Sequence, residues 1–335
     1  MNRVTVFGAG SWGTALAIQL SRSPDNEVTL WGHQAEAIEV IKRDQSNQAF
    51  LPGIPLSKSI KLTADLEQAC QHMDYALIVI PSYAFVDFCT LIKPFTAVNT
   101  PIFWATKGFD LKTGSLLHEA VLNQFPKNSY GIVSGPTFAL EVAKGLPTAI
   151  TCAGSDVKVT RAFAKCLHYD NFRCYLSSDV VGVEIGGALK NILAIAVGIT
   201  DGLGLGANSR AALMTRGLAE VTRYGLSVGG HAETFMGLAG LGDLVLTCTD
   251  NLSRNRRFGL LIGAGKSNAE AEQEVGQTVE GVRAAEAMDK LMAKKSLDLP
   301  IMLKVCDVLL RGKDPMQALK ELQERTIKTE GEFET

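Results

Sequence analysis

The first twenty-one residues limit the fold more than any other part of the chain. Val4-Thr5-Val6-Phe7 reads as a strand, Gly8-Ala9-Gly10-Ser11-Trp12-Gly13 matches G-x-G-x-x-G, and Gly13 to Ser21 has the apolar spacing of a helix. A strand, a glycine-rich turn and a helix in that order predict the opening of a parallel βαβ unit. In that setting the glycines permit a tight turn and let backbone N–H groups approach a pyrophosphate at the helix N-terminus, where the dipole favours negative charge. The pattern also serves as a plain structural turn, so its context carries the reading.

Strand-like runs recur at Glu27–Trp31, Tyr75–Ile80, Ile102–Thr106, Tyr130–Ser134, Pro147–Cys152 and Phe172–Tyr175, with amphipathic stretches such as Gly114–Asn123 among them. This alternation predicts an α/β, Rossmann-like, doubly wound and mostly parallel sheet. After Ser178 the texture changes. Asp179–Ile199 reads as one long helix, a glycine-rich break follows at Asp201–Gly206, and helical patterns run on at Arg210–Tyr224, Ala232–Met236, Arg256–Ala264, Thr278–Ala293 and Pro300–Leu310. The expected organisation is a dinucleotide-binding domain over 1–178 and an all-α substrate domain over 179–335. The polar, acidic tail from Thr329 is expected to fray.

Composition narrows the function classes. Thirty-three basic against 35 acidic residues leave a net charge of −2, which offers no general attraction for nucleic acid or an anionic membrane. Seven scattered cysteines without a C-x-x-C pair suggest neither a disulfide framework nor a zinc knuckle and fit a reducing compartment. Met1-Asn2-Arg3 leads straight into a strand, and apolar runs such as Ile192–Ile199 fall short of the roughly 20 residues of a span, so the expectation is a cytoplasmic protein without membrane insertion. The five histidines, His33, His72, His118, His168 and His231, are too dispersed for a zinc site, and no metal is expected.

Several segments hold candidate chemistry. At the end of the second strand, Leu30-Trp31-Gly32-His33-Gln34 has no carboxylate until Glu36. A carboxylate there would bind a ribose 2′-hydroxyl; without one a 2′-phosphate is tolerated, and His33 could donate to it or simply be half-exposed. Lys107 in Ala105-Thr106-Lys107-Gly108 and the turn Ser134-Gly135-Pro136-Thr137-Phe138-Ala139 follow predicted strands, where ligands of open α/β sheets bind. In Glu184-Ile185-Gly186-Gly187-Ala188-Leu189-Lys190-Asn191, a helical Lys190 leans back over Gly187 and Gly186, leaving either room beside its amine for a flat ring or close helix packing. Asp243 in Gly240-Leu241-Gly242-Asp243-Leu244 either caps a helix or orients a lysine, with Thr247 one turn along. In Asn251-Leu252-Ser253-Arg254-Asn255-Arg256-Arg257, three arginines stand at a helix start, where cations oppose the dipole unless an anion binds. A solvated basic turn is the other reading.

Taken in order, G-A-G-S-W-G, W-A-T-K-G, S-G-P-T-F-A, G-G-A-L-K-N, G-L-G-D-L and N-L-S-R-N-R-R-F-G closely resemble bacterial-type NAD(P)-dependent glycerol-3-phosphate dehydrogenase, over nearly the whole length from the Gly8 turn to Thr278-Val279-Glu280-Gly281. The resemblance implies hydride exchange between NADPH or NADH and a phosphorylated triose, dihydroxyacetone phosphate and sn-glycerol 3-phosphate being interconverted, with a place upstream of phospholipid synthesis. It implies Lys190 as proton acceptor, with Lys107 and Asp243 completing its surroundings. Substrate contacts would be Lys107, Gly135, Thr137, Lys190, Asp243, Ser253, Arg254 and Asn255. Cofactor contacts would be Ser11, Trp12, His33, Phe50, Lys107, Ala139, Arg254, Thr278 and Glu280, beside Gly8, Gly10 and Gly13. Thr137 and Thr278 depart from the serine and valine frequent at those places, which softens both assignments. A homodimer is allowed by these residues without being read from them.

Chemistry suits the assignment. A lysine titrates near about 10.4 in water, and a second cation plus partial burial would bring it down, while Asp243 would hold it in place. Two other readings stay open on the sequence: a β-hydroxyacid or ketoacid reductase on the same two-domain plan, and a non-catalytic NAD(P) sensor. The arginine cluster favours phosphate over a carboxylate substrate, and the sensor leaves the G-G-A-L-K-N helix without a purpose.

Overall fold

The computed structural model describes residues 1–294 and 297–326; the tail from Thr329 lies outside them. The chain divides into two compact units, 1–110 with 115–184, and 111–114 with 185 onward. By contacts the first unit runs on through Glu184, six residues past Ser178, and Leu111–Gly114 groups with the second unit.

In the first unit the order is β1 (Asn2–Phe7), α1 (Ser11–Arg22), β2 (Asn26–Trp31), α2 (Ala35–Asp44), β3 (Lys61–Thr63), α3 (Leu66–Cys70), β4 (Tyr75–Ile78), α4 (Ser82–Ile92), β5 (Ile102–Trp104), α5 (Leu117–Gln124), β6 (Tyr130–Ser134), α6 (Ala139–Lys144), β7 (Thr148–Gly154), α7 (Val157–Leu167) and β8 (Phe172–Ser177). The strands form one sheet in the order β3-β2-β1-β4-β5-β6-β7-β8. Every neighbouring pair is parallel except β6 with β7. Going outward from β1, one half of the sheet runs through β2 and the other through β4, which makes the gap beyond β1 and β4 the topological switch point.

Apolar strand residues account for the sheet's core. Val4, Val6, Leu30, Leu77 and Phe103 are buried beneath Leu16 and Leu20 of α1, and Phe103 stacks on Phe163 of α7 at 3.9 Å. The strand β3 was not expected from sequence. Its three residues, Lys61-Leu62-Thr63, carry no apolar run and are strand only because Leu30 and its neighbours offer free ladder positions. At the end of this unit Glu184 is buried, and its carboxylate accepts the backbone N–H of His118 at 3.1 Å and faces His118 Nδ1 at 2.6 Å. Burial pushes that carboxyl up, while the histidine bond pulls it down.

The second unit is helical: α8 (Val180–Gly202, beginning in the first unit), α9 (Gly206–Ser227), α10 (Ala232–Phe235), α11 (Asp243–Thr249), α12 (Arg254–Gly263), α13 (Asn268–Val275), α14 (Glu280–Lys294), α15 (Pro300–Arg311) and α16 (Pro315–Gln323). One turn of π-helix, Leu238–Gly242, leads into α11. The sequence reading missed α13 and α16. Polar surfaces on both hide the helical period, and Ser267 and Asp314 cap their starts. Helix α8 is long and apolar enough to cross a membrane, yet 94% of its apolar window is buried within the protein, as befits a core helix. Its polar residues, Glu184, Lys190, Asn191 and Thr200, break the apolar runs counted from sequence.

Glycine sets how closely α8 meets its partners. A Cβ on Gly198 would lie 2.3 Å from Arg256 O, and one on Gly259 would lie 2.2 Å from Ile195 O. One turn on, Gly202 and Gly263 repeat the arrangement against Leu260 O and Ile199 O. The two G-x-x-x-G pairs let the backbones of α8 and α12 touch, which fixes the start of α12 relative to Lys190.

Candidate active site

The glycine turn lies at the carboxyl ends of β1 and β4. Gly8 has φ +126°, and a Cβ there would come within 2.3 Å of Val79 O; a Cβ on Gly13 would come within 1.8 Å of Gly8 O. Gly10 differs: it starts α1 without a side-chain cap, and a Cβ on it would meet nothing within 4 Å. Uncapped helix N–H groups beside an open glycine make a cradle that suits a pyrophosphate, so the residues present fit a dinucleotide.

A loop closes on this turn. Asn47 is buried and donates to Ala9 O and Thr14 Oγ1, both at 2.8 Å. Ser11 Oγ donates to Phe50 O at 2.6 Å, which brings two of the expected cofactor residues together. Phe50 is 46% exposed, an aromatic face turned outward beside the turn. Trp12 is half-buried on α1 and His33 is exposed just past β2. Asn47 escaped the sequence reading because an asparagine in a long loop gives no signal of where its amide points.

Lys107 is half-buried beyond β5, where the preceding Thr106 donates to Ile80 O at 2.8 Å. Past β6, Gly135 is buried against Ile150, Thr137 Oγ1 donates to Gly135 O at 3.2 Å, and Ala139 opens α6. All of these stand at the carboxyl edge of the parallel strands.

In the second unit, Lys190 is buried on α8, and its ammonium donates to the carboxylate of Asp243 and to Thr247 Oγ1, the latter at 2.8 Å. Asp243 is fully buried, and Thr247 in turn donates to Asp243 O at 2.6 Å. The threonine oxygen thus accepts from the lysine while its own proton is used within α11. Asp243 is not the N-cap that its position suggests; it has helical dihedrals and follows the π-turn without a break. Gly186 is also explained differently. A Cβ there would lie 2.5 Å from Ala239 O, so the missing side chain at Gly186 admits the π-turn's backbone. That close packing brings Asp243 to Lys190.

The arginine cluster divides. Arg256 turns inward: it is buried, its guanidinium donates to Asp201 Oδ2 at 2.6 Å, to Cys248 O at 3.0 Å and to Asn251 Oδ1. One of the three cations is therefore neutralised by Asp201, and the sequence argument for an anion holds only for the others. Arg254 is half-buried and donates to Gln277 Oε1 at 3.2 Å. Burial lowers its guanidinium's pKa, Glu280 opposes that, and Arg257 adds to it. Ser253 is buried and its Oγ caps α12 by accepting Arg256 N–H at 3.2 Å. Glu280 opens α14, with Thr278 exposed just before it. Asn255 is buried, and both ends of its amide bond within the protein, to Asn191 and to Gly281.

The family profile described as the N-terminus of NAD-dependent glycerol-3-phosphate dehydrogenase matches residues 3–160, and the profile for the C-terminus matches residues 179–320. The chain belongs to this family. Among its relatives, glycerol-3-phosphate dehydrogenase [NAD(P)+] of Shewanella pealeana is 48% identical over 98% of this chain and 97% of that protein. The enzyme of the same description from Idiomarina loihiensis is 45% identical over 98% of this chain and 99% of its own length. The crystal structure of glycerol-3-phosphate dehydrogenase from Coxiella burnetii is 43% identical and superposes with a TM-score of 0.93, covering 97% of this chain and 99% of that one.

Proposed function

We propose that this chain is an NAD(P)-dependent glycerol-3-phosphate dehydrogenase, interconverting dihydroxyacetone phosphate and sn-glycerol 3-phosphate. The observation that carries the mechanism is the buried Lys190, held by Asp243 and Thr247 on a helix whose neighbour α12 begins with Ser253 and Arg254. A bound nicotinamide would supply hydride chemistry at the substrate's C2.

The chain's own residues handle the proton and the phosphate. In the reducing direction Lys190 Nζ gives a proton to the oxygen on C2, and in the oxidising direction it takes that proton back. A cation at that oxygen also stabilises the negative charge that develops there. Asp243 and Thr247 keep the nitrogen in one place, so little reorganisation is needed. Arg254 and the N–H groups at the start of α12 suit the substrate's phosphate, whose binding away from the reacting carbon is converted into orientation. Lys107, Gly135 and Thr137 are proposed as further substrate contacts. The turn Gly8–Gly13, with Ser11, Trp12, Phe50, His33 and Ala139, together with Thr278 and Glu280, would hold the dinucleotide. Absence of a carboxylate before Glu36 supports use of NADPH. The product's chemistry suits supply of glycerol 3-phosphate for phospholipid synthesis in the cytoplasm.

The test is oxidation of NADPH and NADH on adding dihydroxyacetone phosphate, run beside small keto acids. Turnover with the phosphorylated triose supports the reading; turnover with keto acids alone replaces it with the reductase reading.

A further inference from the structure

Asn255 stands in the first turn of α12 between Arg254 and Arg256, and its carboxamide oxygen and one of its amide N–H groups each bond to another helix. Oδ1 accepts the backbone N–H of Gly281 at 2.9 Å, in the first turn of α14. Nδ2 donates to Asn191 Oδ1 at 2.9 Å, on the residue after Lys190. The amide cannot be turned over, because a backbone N–H only donates and therefore demands the oxygen. The first N–H groups of a helix have no partner within it, so Asn255 caps α14 from a different helix. Gly281 is the residue that permits this: a Cβ on it would lie 2.7 Å from Asn191 O and 3.0 Å from Asn255 Oδ1.

One side chain thus joins three helices, those carrying Lys190, Arg254 and Glu280. On the resemblance Asn255 is a substrate contact; its oxygen is taken by Gly281 and one of its two amide N–H groups by Asn191, the residue that follows the lysine, so the helix linkage is a role beside that contact. Both asparagines are buried, Asn191 at 6% and Asn255 at 9% exposure, so the bonds form where water competes poorly.

We infer that Asn255 is a positioning residue, its carboxamide locking the starts of α12 and α14 to the helix of Lys190 through Asn191 and Gly281. The inference rests on the functional reading above and deepens it: groups proposed for cofactor at α14 and for proton transfer on α8 are held in one register by a single amide. Losing the amide should then disturb both together, whereas losing a substrate contact should disturb substrate alone.

A double-mutant cycle of Asn191→Ala and Asn255→Ala tests this, read by NADPH affinity from nucleotide fluorescence, by KM and kcat with dihydroxyacetone phosphate, and by thermal melting. Either single change should weaken NADPH binding by up to about tenfold, the worth of one buried hydrogen bond, and lower kcat as well. The double variant should be no weaker than the worse single, because one linkage has been cut twice. Multiplying losses in the double variant, or a raised KM for the triose with NADPH affinity and kcat intact, overturns the inference. Where Asn255→Ala does not fold, Asn191→Ala alone carries the test: it cuts the same bond from α8, and NADPH affinity and kcat both unchanged in it overturn the inference. NADPH affinity needs no turnover, and so a parent protein inactive on the triose would sink the functional reading while leaving this cycle to be judged by itself.

Discussion

Lys190 and Asp243 form an ion pair buried inside the helical unit, with Thr247 bonded to both. The pair is possible because Gly186 lets the backbone of Ala239 approach α8. A pair so placed is costly to desolvate, and removing either partner leaves the other charge buried alone.

Replacing the lysine tests that chemistry. Lys190→Met should lower kcat by about 10²- to 10⁴-fold, the usual worth of a positioned general acid–base group, while KM for the triose changes less. It should also destabilise the fold by about 3–5 kcal/mol, since Asp243 is left buried without its partner. Steady-state kinetics and denaturant melts read the two effects separately.

Arg254 and Arg256 should behave differently despite standing two residues apart. Arg254→Ala is expected to raise KM for dihydroxyacetone phosphate by about tenfold or more, from the loss of a charged hydrogen bond, with stability nearly unchanged. Arg256→Ala removes bonds to Asp201, Cys248 and Asn251, and should show chiefly as a lowered melting temperature. Equal effects of the two on KM would argue against the division.

The glycine contact between α8 and α12 should tolerate no methyl group. Gly198→Ala would place a carbon 2.3 Å from Arg256 O, and Gly259→Ala one 2.2 Å from Ile195 O, both closer than real contacts allow. Overpacking of this kind costs about 1–3 kcal/mol, and the displaced start of α12 should raise KM for the phosphorylated substrate too. Melting and kinetics on the same preparations check both.

The buried Glu220 should give stability a pH dependence. Its carboxylate accepts the N–H groups of Ile301 at 2.7 Å and Met302 at 3.1 Å at the start of α15. Burial raises its pKa to about 7, against those two bonds, which lower it. A carboxyl raised in the folded state favours folding most below its unfolded value of about 4.3, and that contribution is lost as pH rises through about 7. Glu220→Gln should therefore gain in melting temperature relative to the parent between about pH 5 and pH 7.5. A difference between the two that stays flat over this window would contradict the raised carboxyl.

The glycine turn was legible in the sequence because its glycines act locally: Gly8 and Gly13 answer to one strand end and one helix start. The helical unit was legible in outline for the same reason, through apolar periods in α8 and α14. What escaped depends on contacts across long stretches of chain. Nothing in the sequence distinguishes Arg256 from Arg254; only the position of Asp201, at the far end of α8, turns one inward. The G-x-x-x-G pairs of α8 and α12 lie some sixty residues apart, and each alone reads as a weak helix position. The family resemblance supplied Lys190, Asp243 and Arg254 as a set, but Asn255 at the hub of three helices became visible only through its partners.

The central claim is that Lys190 carries the proton when a phosphorylated triose is reduced. It is tested most directly by following NADPH oxidation with dihydroxyacetone phosphate for the parent and for Lys190→Met, both shown by melting to be folded. The account predicts steady turnover by the parent and a kcat at least about 10²-fold lower for the variant. Undiminished turnover by Lys190→Met, or a parent that reduces keto acids and leaves the triose untouched, would contradict it.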